Sequence, residues 1–386
     1  MAAKSWTLID SSENHGPDSL LLDGEQLGAA KGARVELQTL RGGLREGVRL
    51  LTVDNGTLRL AVLPDRGMGI WKAWHGETEI GWQSPVRGPV HPSHVPVMEP
   101  NGLGWLYGFD ELLARCGLLS NGAPDFDEQG TLTYPLHGLI ANRPADHLQV
   151  SVDDQSGEIS VTGIVEETRF HFHKLRLTST IKTRPNSPVM EIHDQITNFS
   201  GNPGEAQILY HINFGPPLNT PGAELVAPVQ ELVPRDEHAA SGIGQWSTYL
   251  PAEVGAKERV YFFKLLADEK GWTRTLLRAA DGGQGVSLRF NTRQLPCFTQ
   301  WKNNPPLADG YVTGLEPGTN FPNPRSFETE KGRVVQLAAG ETAEYDLAIQ
   351  LHPDAGSVAA AEQEIAALQS AAEPVVHKSP HADWCA

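Results

Sequence analysis

The sequence predicts an all-β fold, a large antiparallel β sandwich with a few short helices, one of them near the C-terminus. Three observations predict it. Short segments alternating apolar and polar residues at period two recur along most of the 386 residues, the pattern of a half-buried sheet. Gly and Pro turns separate them, as in Arg184-Pro185-Asn186-Ser187-Pro188 and Asp281-Gly282-Gly283. Helical spacing of apolar residues is rare.

Residues 1–33 read as an N-terminal extension. The alternation starts at Val35-Glu36-Leu37 and continues in Leu58–Val62, Leu148–Val152, Ile159–Val165 and Phe170–Leu177. It runs on through Val189–Ile196, Gln207–Phe214, Val260–Leu266, Val286–Phe290, Val334–Leu337 and Tyr345–Leu351. Between Ser84 and Asn101 the chain is dense in Pro, Gly and His, an irregular excursion of the kind that tends to carry function. Phe109, Leu112, Leu113 and Cys116 suggest a short amphipathic helix. Val358, Ala361, Ile365 and Leu368 predict a helix capped by Ser357 that covers a sheet edge or face. No composition shift marks a second domain, so 34–356 is expected to form one sandwich domain, followed by a helix and tail over 357–386. The tail after Ala371 is expected to be loosely held.

The formal net charge of −16 argues against a nucleic-acid or anionic-membrane partner, which would require clustered Lys and Arg. Cys116, Cys297 and Cys385 are few and far apart, which fits neither a disulfide framework nor a zinc ribbon and suits a reducing cytoplasm. Neither a secretory signal nor an apolar run long enough to span a bilayer is visible.

Three segments carry candidate chemistry. In Gly314-Leu315-Glu316-Pro317-Gly318-Thr319-Asn320 a carboxylate sits between a strand-forming run and a turn, and Pro317 biases Glu316 towards extended backbone. His211 lies in Tyr210-His211-Ile212-Asn213-Phe214, where alternation puts His211 and Asn213 on one face. His137 precedes a glycine that lets another group approach.

These segments, His137-Gly138, Tyr210 to Gly215 and Gly314 to Pro317, resemble in type and order the signatures of the aldose 1-epimerase (galactose mutarotase) superfamily. Leu63-Pro64-Asp65-Arg66-Gly67-Met68, Cys116-Gly117-Leu118 with Asn121, and Phe298-Thr299-Gln300-Trp301-Lys302 resemble its DUF4432 branch. The likeness covers about residues 30 to 352 and implies a β supersandwich. It also implies anomer interconversion of a small-molecule carbohydrate without metal or organic cofactor: Glu316 as base on the anomeric hydroxyl, His211 as acid on the ring oxygen, His137 assisting. Arg66, Asn213, Gln300, Trp301, Lys302 and Asn320 are the candidate sugar contacts, with 300–302 expected on one rim. The superfamily's sugar-binding aspartate has no counterpart near Lys257–Tyr261, and its arginine before the first histidine is missing, so the sugar is not defined.

Other readings remain open. His91 and His94 with Glu99, or His171 and His173, have metal-ligand spacing. An epimerase or isomerase of a sugar phosphate or modified sugar is another reading, and for a phosphate Arg66, Arg115, Arg143 and Arg325 would have to converge. A noncatalytic carbohydrate-binding protein would keep the cleft without needing a paired acid and base.

Overall fold

The structure, a computed structural model, describes residues 3–386. The fold is all-β, and its strands divide between two compact units built from interleaved segments. Unit one comprises the chain up to Glu79, Val86–Ile208 and Val335–Asp346; unit two comprises Ile80–Pro85, Leu209–Val334 and Leu347–Ala386. A chain that crosses between units several times leaves no single composition break.

In unit one, Ala3–Asp10, Ala145–Asp153, Ile159–Thr168, Lys174–Thr183 and Val189–Asn198 follow one another in an antiparallel sheet. Alternating buried and half-buried residues along Ile159–Thr168 and Lys174–Thr183 bear out the period-two reading. Residues 3–10 and 19–23 pair with strands of this unit, so much of the N-terminal extension is sheet. A second sheet runs through Ser19–Asp23, Arg34–Thr39, Arg49–Asp54, Leu58–Leu63, Gly69–His75 and Leu113–Leu118. Arg115 reaches from it to Asp194 of the first sheet at 2.5 Å, both side chains wholly buried.

Two local expectations are corrected here. The helix expected around Phe109–Cys116 is a strand, Leu113–Leu118, buried at every position; a short run apolar on both faces carries no period to distinguish strand from helix. The strand expected from Phe170 begins only at Lys174. Phe170 to His173 make the preceding turn, closed by a hydrogen bond from Arg169 N to His173 O and with His171 at φ 67°.

In unit two, Leu209 to Phe214 pair with Val312–Gly318, which pairs with Cys297–Asn303, then Arg259–Leu265 and Val229–Pro234. A second sheet joins Leu347–His352 to Gly285–Asn291, Trp272–Arg278 and Glu224–Val226. Phe290 of this sheet stacks on Phe298 of the first, ring centroids 5.9 Å apart, which identifies the face of Cys297–Asn303 that looks into the sandwich.

The C-terminal helix is Ala355–Gln369, and Val358, Ala361 and Ile365 pack on Leu276. Its cap is Asp354, whose carboxylate accepts from Ser357 N at 2.8 Å, while Ser357 bonds back to residue 354 as the other half of a capping box. The expectation of a loose tail is overturned. Val375–Val376 pair in parallel with Glu231 and Leu232, and Trp384, 5% exposed, joins Phe262 and Phe321 in a core cluster. Two turns rich in polar residues hid the aromatic anchor that follows them.

Candidate active site

Glu316 and His211 lie on neighbouring antiparallel strands. The register pairs Ile212 with Leu315 and Asn213 with Gly314, so the next position sets His211 beside Glu316, side chains on one face. His211 Nε2 approaches Glu316 Oε1 at 3.3 Å, and both are almost fully buried. The approach is not aligned as a hydrogen bond, and Oε1 has no hydrogen-bond donor among the described residues. Burial first, and the charge of Glu258 second, hold the Glu316 carboxyl well above the usual carboxylate range, with Arg235 acting in the opposite direction.

Asn213 orients the imidazole. Its Nδ2 donates to His211 O at 3.1 Å, which leaves Oδ1 to accept the proton of His211 Nδ1 at 2.7 Å. The ring nitrogen that faces Glu316 is therefore Nε2, able to give or take a proton. Trp301 stands edge-on to the ring at 5.5 Å between centroids and donates its indole N–H to Glu258 at 2.7 Å.

Gly314 explains how the two side chains fit together here. A Cβ at 314 would overlap Glu316 Oε1 and come within 3.0 Å of His211 Cε1, so only glycine lets the carboxylate and the imidazole pack over this position. Thr299, missed in the sequence reading, is directly opposite Glu316 and buried, its hydroxyl without a partner among the described residues. Alternation from Trp301 was the signal that could have found it.

Alternation also corrects the single rim expected for residues 300–302. Trp301 shares the Glu316 face, whereas Gln300 and Lys302 point into the sandwich. Gln300 Nε2 donates to Tyr249 Oη at 3.1 Å, and Lys302 Nζ donates to the carbonyls of Gln245, Trp246 and Thr248 at 2.7 to 3.0 Å. Asn320 is buried, accepting from Thr319 Oγ1 and donating to Phe321 O, and so fixes the turn that follows the Glu316 strand.

Arg66 and His137 belong to unit one. Arg66 is fully buried and spends its guanidinium on Glu111 at 2.5 Å, Asn142 and the carbonyls of Val90 and Gly108, which corrects its expected exposure to a sugar. Arg115 is likewise committed to Asp194, so two of the four arginines weighed for a phosphate are structural. His137 has φ 58°, lies edge-on to Trp105 at 4.6 Å and sends its Nδ1 proton to Asn121 O at 3.0 Å. Gly138 beside it could not carry a Cβ without striking the carbonyls of Ser120 and Gly117. His91 binds Ser93 through Nδ1. No cluster of three or more His, Cys, Asp or Glu side chains fit to hold a metal occurs among the described residues.

The fold is that of a mutarotase-like protein, and comparison with known proteins places it more closely. The chain belongs to the family described as Domain of unknown function (DUF4432), which it matches over residues 45–351. It is 36% identical to a protein of Klebsiella pneumoniae described as a candidate aldose 1-epimerase, with a TM-score of 0.95 over 98% of this chain and 99% of that one. The fold is also similar to that of a galactose mutarotase-like protein from Clostridium acetobutylicum (TM-score 0.55, 13% identity, 81% of this chain and 96% of that one). A candidate aldose 1-epimerase from Escherichia coli K12 is similar at TM-score 0.53 and 17% identity, over 79% of this chain and 99% of that one. No functionally curated protein matches. No helix among the described residues is long and apolar enough to cross a membrane.

Proposed function

We propose that the chain interconverts sugar anomers by opening and closing the hemiacetal ring, with Glu316 and His211 as base and acid. The observation that carries this reading is a buried carboxylate oxygen without a hydrogen-bond donor, held 3.3 Å from an oriented imidazole nitrogen. Such an arrangement is costly to fold and useful only if the two groups exchange protons with something else. The anomeric hydroxyl and the ring oxygen are attached to one carbon, so the groups that serve them must also be neighbours.

Glu316, as carboxylate, takes the proton of the anomeric hydroxyl while the bond from the anomeric carbon to the ring oxygen breaks. His211, as imidazolium, gives its Nε2 proton to the departing ring oxygen. The open-chain aldehyde rotates, and the reverse steps close the ring on its other face. Glu316 gains one proton and His211 loses one, so the pair holds a single proton throughout, and a bell-shaped pH profile is expected. Trp301 offers an aromatic wall beside the pair and Thr299 a hydroxyl. The assisting role of His137 rests on the family resemblance.

The test is NMR measurement of anomer exchange across free aldoses, keto-sugars, uronic acids and sugar phosphates. With the active sugar, Glu316→Gln is expected to slow exchange at least about 10²-fold while retaining binding by calorimetry. Equal exchange rates for mutant and wild type would sink the assignment. Binding without exchange by the wild type would indicate a carbohydrate-binding protein instead.

A further inference from the structure

On the opposite face of the same strands lies a polar cavity of about 80 Å³, lined by Gly242, Arg259, Tyr261, Lys302, Asn304 and neighbouring residues. Arg259 and Lys302 are directly opposite each other on paired strands. Like charges at such a position repel unless something neutralises them, and no lining residue is acidic. Asp236 and Glu258, the nearby acids, are engaged elsewhere: Asp236 with Arg235 and Ala239 N, Glu258 with Arg235 and Trp301.

The two cations differ in what they have to spare. The three donors of Lys302 are all taken by the 245, 246 and 248 carbonyls, so it contributes charge alone. Burial and the charge of Arg259 pull its ammonium down to about 7, a penalty that a nearby anion would relieve. Among the described residues the buried Nε of Arg259 has no hydrogen-bond partner. A Cβ on Gly242 would come within 2.7 Å of that Nε and 3.0 Å of Tyr261 Oη. The space in front of the guanidinium thus exists because residue 242 is glycine, although its φ of −103° would suit any residue. A volume of about 80 Å³ accommodates roughly five water-sized groups, the size of a phosphate or a carboxylate.

We propose that this cavity is a binding site for a small oxoanion, a phosphate or carboxylate group hydrogen-bonded by Arg259 and balanced by Lys302. The site is independent of the Glu316 pair, which points the other way from the same sheet.

Thermal unfolding of the full chain in inorganic phosphate, and separately in acetate, tests it against sodium chloride at matched ionic strength. A saturable rise in Tm of at least about 3 °C is expected with one of the two, which names the headgroup. The rise should shrink to the chloride level in both Arg259→Gln, which removes the donor, and Gly242→Ala, which fills the cradle. If neither anion stabilises the wild type beyond chloride, or if both variants keep the full shift, the proposal is overturned. Should Arg259→Gln fail to fold, Gly242→Ala decides alone, since its backbone accepts alanine.

Discussion

Asn213 touches no reacting atom in the proposed reaction, yet it determines which imidazole nitrogen faces Glu316. Replacing it with alanine removes the acceptor for Nδ1 and frees the ring to rotate, so kcat is expected to fall about ten- to a hundredfold with KM little changed. Steady-state kinetics on the active sugar check this, and a pure KM effect would assign Asn213 to binding instead. His211, Asn213 and Glu316 were legible in the sequence because alternation fixes which side chains share a face and Pro317 marks where the strand ends. Arg66 was misread for the opposite reason. Its partner Glu111 is 45 residues away, and a long-range ion pair leaves no local trace, so an arginine near a proline turn looks exposed.

At the scale of elements, the strand Cys297–Asn303 shows how far alternation reaches. Its two faces serve two groups of side chains: Thr299 and Trp301 stand with Glu316, Gln300 and Lys302 with Tyr249 and Arg259. The motif is visible as a string, and the period of two alone divides it between the faces. The C-terminal tail shows the converse. Nothing in its composition announces order, because its attachment is one buried indole, a two-residue parallel pairing and polar contacts to distant residues such as Asn323, Lys331 and Arg333. Trp384→Ala is expected to cost about 3 kcal/mol or more, as deletion of a large buried aromatic does, read as a lower urea midpoint. No loss would mean that backbone pairing and polar contacts carry the tail without the indole.

For the molecule as a whole, the all-β class and most strands followed from periodicity, whereas the two interleaved units did not, since pairing between distant segments is a tertiary choice. Burying Glu316 also has a cost in stability. Its carboxyl titrates higher folded than unfolded, so the folded state holds the proton more tightly. The stability this contributes is complete below the ordinary carboxylate pKa of about 4.3 and drains away as pH rises towards the folded value. Glu316→Gln should therefore gain in Tm over the wild type as pH increases from 4 to 8, and a pH-independent gap would show that His211 compensates fully. Trp301, finally, places an indole edge-on to His211. Protonated imidazole quenches indole emission, so the proton's residence on His211 or on Glu316 becomes an optical property of the protein, readable through the change that His211→Asn makes to its fluorescence without any substrate being turned over.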